Sequence, residues 1–179
     1  GIDKTFTVDV NSKSMTANSG GMLYVRGQRN YVFAYTNVSE LKANGASKIS
    51  LELFGKNSGT AYVYNVPITN SLKEKINSCS KFNEAYNKDT DLYTEFTNVI
   101  SNVSGYSLAG EVSFTDGIYS KLDITSIASN CDDVLLMFKD SEQNGTSSFG
   151  FYPGETDIRS YSYVKAEYDS DLQNTYDVT

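Results

Sequence analysis

The segment Lys48–Pro67, KISLELFGKNSGTAYVYNVP, decides the fold class that the sequence predicts. Ile49, Leu51 and Leu53 alternate with polar residues, which is the period-two pattern of a strand buried on one face. The stretch 55–59 follows, and its glycines and asparagine favour the positive φ angles of a turn. A second apolar run completes the segment, so we predict a β-hairpin here.

The second half of this hairpin places two tyrosines on one face of a strand. Tyr62 and Tyr64 are two residues apart, so their rings lie on the same side. A similar pattern recurs at 133–153, DVLLMFKDSEQNGTSSFGFYP. Further alternating runs bring the expected total to about 8–10 strands, at the spacing of a sandwich. We therefore predict an all-β protein, a jelly-roll β-sandwich that forms a single domain over 1–179.

A helical pattern interrupts the strands in the middle of the chain. Ser71 and Glu74 have the spacing of a capping box, in which each side chain bonds a free backbone N–H at a helix start. Apolar residues then recur at helical spacing. We predict helices over about 71–86 and 91–102, a two-helix insert that covers an edge or an open face of the sheet.

The charge of the chain argues against nucleic acid as a partner. The formal net charge is −7 and the isoelectric point about 4.6, whereas phosphate binding requires clustered Lys and Arg. No hydrophobic run approaches the roughly 20 residues of a membrane span. A chain that opens with Gly1 fits a mature or excised fragment, and the composition favours an extracellular or surface-exposed module.

The absence of histidine restricts the chemistry that the chain can perform. Without histidine, the Ser-His-Asp and Cys-His catalytic systems are excluded. Two carboxylates suffice for glycoside hydrolysis, but the acidic residues here lie in no distinctive motif. These candidates are Glu52, Glu111, Asp116, Asp123, Asp132, Asp133 and Asp157. We therefore expect a protein that is not an enzyme.

Turn carboxylates and two cysteines are the remaining candidates for special chemistry. Asp116 and Asp157 lie on predicted turns and supply oxygen ligands of the kind that calcium prefers, so calcium is the one cofactor that the sequence suggests. Cys79 and Cys131 form no CxxC motif. They are either one disulfide or two small buried side chains.

Tyrosine is the most informative residue type in this sequence. The chain has 14 tyrosines and no tryptophan, and a tyrosine ring offers an apolar face together with a hydroxyl that can stay in water. Sugars present C–H faces that stack on such rings. The rings on strands or near loop ends are the candidate ligand-binding residues, and these are Tyr35, Tyr62, Tyr64, Tyr119 and Tyr152.

Two stretches of the chain resemble a known family. Residues 31–54, YVFAYTNVSELKANGASKISLELF, and 113–139, SFTDGIYSKLDITSIASNCDDVLLMFK, are similar to the two halves of galactose-binding-like β-sandwich carbohydrate-binding modules. Asp157-Ile158 matches the acidic residue that leads the last strand in that family. The lack of tryptophan and the helical insert depart from its pattern. The resemblance implies a jelly-roll sandwich that binds carbohydrate.

Two functional hypotheses follow from these patterns. The first is a non-catalytic extracellular or surface binding module, with glycan as the ligand, recognised by exposed tyrosines and polar side chains. The alternative is a structural jelly-roll protein of a virion or cell surface, such as a coat, spike, pilus or surface-layer subunit, that assembles as a homo-oligomer through its aromatic faces. The partner is accordingly a glycan or a protein surface. Tyr62 and Tyr64 are a ligand platform if the helical insert packs elsewhere, and core or interface residues if the insert covers them.

Overall fold

The computed structural model describes residues 2–154 and 161–169, and this part of the chain is mostly β-strand. The strands are β1 (Lys4–Asp9), β2 (Ser14–Ala17), β3 (Leu23–Val25), β4 (Asn30–Asn37), β5 (Ala46–Lys56), β6 (Gly59–Asn65), β7 (Glu84–Asn87), β8 (Ser107–Phe114), β9 (Tyr119–Asp123), β10 (Asp133–Asp140), β11 (Phe149–Tyr152) and β12 (Tyr163–Tyr168). The α-helices are α1 (Ser39–Ala43), α2 (Asn70–Ser78), α3 (Asp91–Ser101) and α4 (Thr125–Ala128).

The strands form two antiparallel sheets. The seven-stranded sheet has the order β7-β2-β1-β4-β10-β6-β8. The smaller sheet has the order β12-β5-β11-β3, and β9 pairs with the other side of β5. The prediction of a chain built mainly from β-strands is therefore confirmed, and the two sheets face each other as in a sandwich.

The predicted hairpin at 48–67 is wrong, although both of its strands exist. β5 and β6 belong to different sheets and connect them through Asn57 and Ser58. The Asn57 backbone N–H donates to Asp116 (2.8 Å) and its side-chain amide donates to the Ser148 carbonyl (2.9 Å), so neighbouring loops hold this link. The segment 133–153 also crosses between the sheets, with β10 beside β6 and β11 beside β5.

The inner core fills the space between the two sheets. Ile49, Leu51 and Leu53 of β5 point into this core, as their alternation predicts. They meet alternate residues of the seven-stranded sheet, such as Val134 and Leu136 of β10. Because side chains alternate along a strand, the residues between these face the opposite side of each sheet.

The outer core lies on the other side of the seven-stranded sheet, beneath α2 and α3. Phe96 of α3 is fully buried there, stacked on Phe33 of β4 at 3.9 Å between ring centroids and edge-on to Phe6 of β1 at 5.0 Å. Leu72 and Ile76 anchor α2 on the same face. The central strands of the seven-stranded sheet are therefore buried on both faces, which explains why the middle parts of β4 and β10 are apolar on both sides.

The segment between β6 and β8 differs from the predicted pair of helices. α2 begins at Asn70, capped by the Thr69 hydroxyl, which accepts from the Leu72 N–H (3.1 Å), and it ends at Ser78. Residues 84–87 form β7, which pairs with β2 at the edge of the sheet. The apolar residues near 82 and 86 matched a helical period by coincidence, and Phe82 is 74 % exposed.

Candidate functional site

Tyr35 is a core residue and offers no ring to a ligand. Only 2 % of its surface is exposed, and its hydroxyl donates to Asp133 (2.6 Å). Burial and this carboxylate raise the pKa of Tyr35 to about 12. Burial alone would raise the pKa of Asp133, but hydrogen bonds from Tyr35, Asn37 and Lys73 hold it below its usual value. The expectation that Tyr35 faces outward is wrong, because helices cover this side of β4.

Tyr62 and Tyr64 lie on the same side of the seven-stranded sheet as the two helices. Both are half-buried, and Tyr64 packs against the outer core. Tyr64 lies opposite Met137 of β10, which is fully buried in that core. Tyr64 is therefore at the margin of the packed outer layer, and Tyr62 lies beside it on the same face.

Tyr119 and Tyr152 come together on the opposite side of the molecule, around Phe54, which is not among the predicted ligand-binding residues. Tyr119 of β9 and Tyr152 of β11 both lie directly opposite Phe54 of β5. The ring of Phe54 lies 5.0 Å from that of Tyr119 and 6.1 Å from that of Tyr152. These three rings form a row across the outer face of the smaller sheet, and Tyr119 is 41 % exposed.

Two further tyrosines join this row from the chain that enters β12. Tyr163 lies 5.8 Å from Tyr119, and Tyr161 lies 6.3 Å from Tyr163. The Tyr119 hydroxyl donates to the Tyr161 carbonyl (2.9 Å). We call the five residues Phe54, Tyr119, Tyr152, Tyr161 and Tyr163 the aromatic face.

Backbone pairing holds the aromatic face in position. The fully buried Ser162 accepts from the Phe54 N–H through its hydroxyl (2.9 Å) and donates its own N–H to the Tyr152 carbonyl (3.2 Å). The chain entering β12 is thereby attached to both β5 and β11. Because these bonds are made by the backbone and a buried hydroxyl, substitutions of the rings should leave the sheet intact.

Charged side chains border the aromatic face. Glu52 lies opposite both Lys121 and Tyr163, and Lys56 lies opposite Gly150, all on the outward side of the smaller sheet. Burial and the Glu52 carboxylate raise the pKa of Tyr163. The face therefore combines apolar rings with carboxylate, ammonium and hydroxyl groups, which is the mixture that binds a polar ligand with apolar patches.

The structure describes only one of the two carboxylates predicted to bind calcium. Asp116 is exposed, accepts from the Asn57 N–H (2.8 Å) and lies 3.9 Å from the Lys56 ammonium. Asp157 lies outside the described residues. Within residues 2–154 and 161–169, no three His, Cys, Asp or Glu side chains are grouped to hold a metal ion. Calcium binding stays a prediction from the sequence.

Of the two alternatives for the cysteines, the disulfide is not formed. Cys79 and Cys131 are both free thiols, Cys79 in the outer core and Cys131 beside the inner core. The Cys131 thiol donates to the Ile127 carbonyl (3.3 Å) and lines a cleft of about 520 Å³ at one end of the sandwich. Cys79 lies in the outer core, and Cys131 only borders the inner core. The other alternative, a small buried side chain, therefore fits Cys79.

No family model matches the chain, and a search of curated proteins finds no match. Within the part of the chain that the structure describes, none of the helices is long and apolar enough to cross a membrane.

Proposed function

We propose that this chain is a non-catalytic binding module of an extracellular or surface protein, and that its aromatic face binds glycan. The observation that carries this proposal is the row formed by Tyr119, Phe54 and Tyr152 on the outer face of the smaller sheet. Helices α2 and α3 pack on the opposite side of the molecule. Ring faces would stack on sugar C–H groups, and Glu52, Lys56 and Lys121 would bind hydroxyls at the margin.

The angles between the rings restrict the kind of glycan. Phe54 and Tyr152 are inclined by only 27°, but Tyr119 is tilted by 57° to Phe54 and by 69° to Tyr163. These rings do not share one plane, so a flat crystalline surface would contact few of them at once. We therefore expect the face to bind individual soluble glycan chains and not insoluble fibres.

Affinity electrophoresis against a panel of soluble polysaccharides tests this function. We expect at least one polysaccharide to retard the protein, and Tyr119→Ala and Tyr152→Ala to abolish the retardation. Stacking of one ring contributes on the order of 1–2 kcal/mol in a shallow site, which corresponds to roughly a 5- to 30-fold loss of affinity. Tyr62→Ala is the matched control on the other outer face and should bind normally.

Two results would contradict the proposal. The first is the absence of retardation by every glycan in the panel. The second is retardation that survives both Tyr119→Ala and Tyr152→Ala but is lost in Tyr62→Ala, which would place the ligand on the helix-covered side. Circular dichroism of each variant distinguishes loss of binding from loss of fold.

A structural role is the second candidate, and one observation favours it. Ile118, next to Tyr119 on the turn before β9, is 55 % exposed. An exposed aliphatic side chain beside aromatic rings is typical of surfaces that bind protein. Copies of the chain would then assemble through the aromatic face as a coat, spike, pilus or surface-layer subunit. A large symmetric assembly in light scattering, disrupted by Ile118→Asp, would support this role over the first.

We also propose that the sandwich is a modified jelly roll with a two-helix insert. Strands β4, β5 and β6 alternate between the two sheets, as do β8, β9 and β10, and β10 lies between β4 and β6. This interleaving is what two Greek keys produce. The segment 70–102, with α2, β7 and α3, is inserted between β6 and β8. An experimental structure in which β10 has other neighbours would contradict this topology.

A further inference from the structure

The side chain of Tyr119 crosses the outer face of β5 from one side to the other. Strands β9 and β12 pair with opposite sides of β5, since Glu52 lies between Lys121 of β9 and Tyr163 of β12. Tyr119 belongs to β9, yet its hydroxyl donates to the carbonyl of Tyr161, just ahead of β12 (2.9 Å). Neighbouring strands lie about 4.8 Å apart, so the tyrosine and its hydrogen bond bridge a gap of roughly 10 Å.

The Tyr119 hydroxyl is the one hydrogen-bond partner of the Tyr161 backbone among the residues that the structure describes. It donates to the Tyr161 carbonyl and accepts from the Tyr161 N–H (3.4 Å), and we call these two bonds the tether. The next residue, Ser162, is held without the tether, by the Phe54 N–H (2.9 Å) and the Tyr152 carbonyl (3.2 Å). Loss of the Tyr119 hydroxyl would therefore release Tyr161 and leave Ser162 in place.

The ring and the hydroxyl of Tyr119 contact different groups. The ring lies 5.0 Å from that of Phe54 and 5.8 Å from that of Tyr163, so it is part of the aromatic surface. The ring of Tyr161 lies 6.3 Å from that of Tyr163. A tyrosine hydroxyl has one proton to donate, and here that proton is directed at the Tyr161 carbonyl. The hydroxyl of Tyr119 is therefore committed to the protein, while its ring faces the partner.

We propose that Tyr119 is a positioning residue, whose hydroxyl holds the ring of Tyr161 in place for stacking on a glycan. The proposal rests on the proposed function and adds to it the way in which the aromatic face is preorganised. A ring that is fixed before the ligand arrives loses less conformational entropy on binding. In Tyr119→Phe the ring of residue 119 remains, but the ligand has to order the backbone that carries the Tyr161 ring.

The first measurement is made without glycan and tests the tether itself. Hydrogen exchange of the backbone amides, followed by ¹H–¹⁵N NMR, compares the wild type with Tyr119→Phe. We expect the Tyr161 amide to exchange about threefold to tenfold faster in the variant, the effect of one hydrogen bond, and the Ser162 amide to keep its protection. Tyr62→Phe, the same change on the other outer face, is the control and should exchange like the wild type. An unchanged rate at Tyr161 would overturn the proposal.

The second measurement is a double-mutant cycle for binding of the polysaccharide that retards the wild-type protein most. Affinity electrophoresis compares Tyr119→Phe, Tyr161→Ala and the combined variant. We expect Tyr161→Ala to weaken binding roughly 5- to 30-fold, the loss of one stacked ring, and Tyr119→Phe to weaken it about threefold to tenfold. The combined variant should bind as weakly as Tyr161→Ala and no more weakly, because the hydroxyl acts through that ring. Tyr62→Phe should bind like the wild type.

The outcomes of the binding cycle distinguish this proposal from the proposed function. If the losses of the two single variants multiply in the combined variant, the Tyr119 hydroxyl contacts the ligand itself and the proposal is overturned. It is also overturned if Tyr119→Phe binds like the wild type while Tyr119→Ala and Tyr152→Ala do not, because the aromatic face then binds glycan without the tether. If no polysaccharide binds, the proposed function fails first and this inference fails with it. Circular dichroism of every variant separates loss of binding from loss of fold.

Discussion

The two outer faces of the sandwich both carry aromatic rings, but only one of them is covered by helices. On the seven-stranded sheet, Phe33 and Tyr35 lie in the outer core beneath α2 and α3. On the smaller sheet, the ring of Phe54 contacts those of Tyr119 and Tyr152 on the outer face. The difference shows that a ring on a strand acquires its role from the layer above it and not from the strand itself.

The energetic consequences of this difference are opposite for the two faces. A buried ring contributes to folding through the water it excludes and through close packing. A half-exposed ring contributes less to folding and keeps apolar surface available for a partner. Substitutions on the helix-covered face should therefore mainly lower the stability of the fold. Substitutions on the aromatic face should mainly weaken binding.

Removal of Phe96 should give the largest loss of stability. Phe96 is fully buried between Phe33 and Phe6, so Phe96→Ala opens a cavity and should lower the free energy of unfolding by about 3–5 kcal/mol. Phe54→Ala, on the aromatic face, should cost less, about 1–2 kcal/mol, because its ring is partly exposed. Urea denaturation followed by circular dichroism measures both values. Equal losses for the two variants would mean that the two faces do not differ in packing.

Alkaline pH should weaken the helix-covered face through Tyr35. Its folded pKa of about 12 lies above the usual value of 10.0, so folding favours the neutral phenol. The stabilisation is complete below pH 10 and is lost as the pH rises from 10 to 12, by up to about 2–3 kcal/mol. The free energy of unfolding, measured by urea denaturation at each pH in this range, should fall less steeply with pH for Tyr35→Phe than for the wild type. Parallel curves would show that Tyr35 titrates normally.

The smallest expected effect is a difference in thiol reactivity between the two cysteines. Cys79 should be protected in the outer core, and Cys131 should be accessible from the surface. Cys79 is 2 % exposed in the outer core, whereas Cys131 is partly exposed beside a cleft. Burial raises the pKa of Cys131, so its reaction should be slow at neutral pH. Mass spectrometry after treatment with an alkylating reagent should show labelling of Cys131 in the native protein and of both cysteines in urea. Failure of the unreduced, unfolded protein to react would demonstrate a disulfide.

The alternation of residues predicted which face of each strand is buried, but it did not predict the pairing of strands. Ile49, Leu51 and Leu53 point inward as expected. The same alternation is compatible with any partner strand, because period two specifies a face and not a neighbour. Local turn signals at 55–59 favoured a hairpin, yet the chain passes to the other sheet there.

Which of the predicted tyrosines are exposed depends on tertiary packing, and no local sequence pattern indicates that packing. Tyr119 and Tyr152 lie on the aromatic face, while Tyr35 is buried by helices from a segment that begins 35 residues later at Asn70. One signal was present for Phe54: it follows the inward-pointing Leu53, so alternation alone places it outward. Tyr163 had no comparable signal, because the facing of its strand was ambiguous.

The most direct test of the account is a map of the residues that a bound glycan contacts. Two-dimensional ¹H–¹⁵N NMR of the labelled protein, titrated with the soluble glycan that retards it most, gives this map. We predict that shifted amide signals cluster on β5, β9 and β11 around Phe54, Tyr119 and Tyr152, with the signals of α2, α3 and β6 unchanged. Shifts confined to α2, α3 and the region of Tyr62 would contradict the claim that the uncovered face of the smaller sheet is the binding surface.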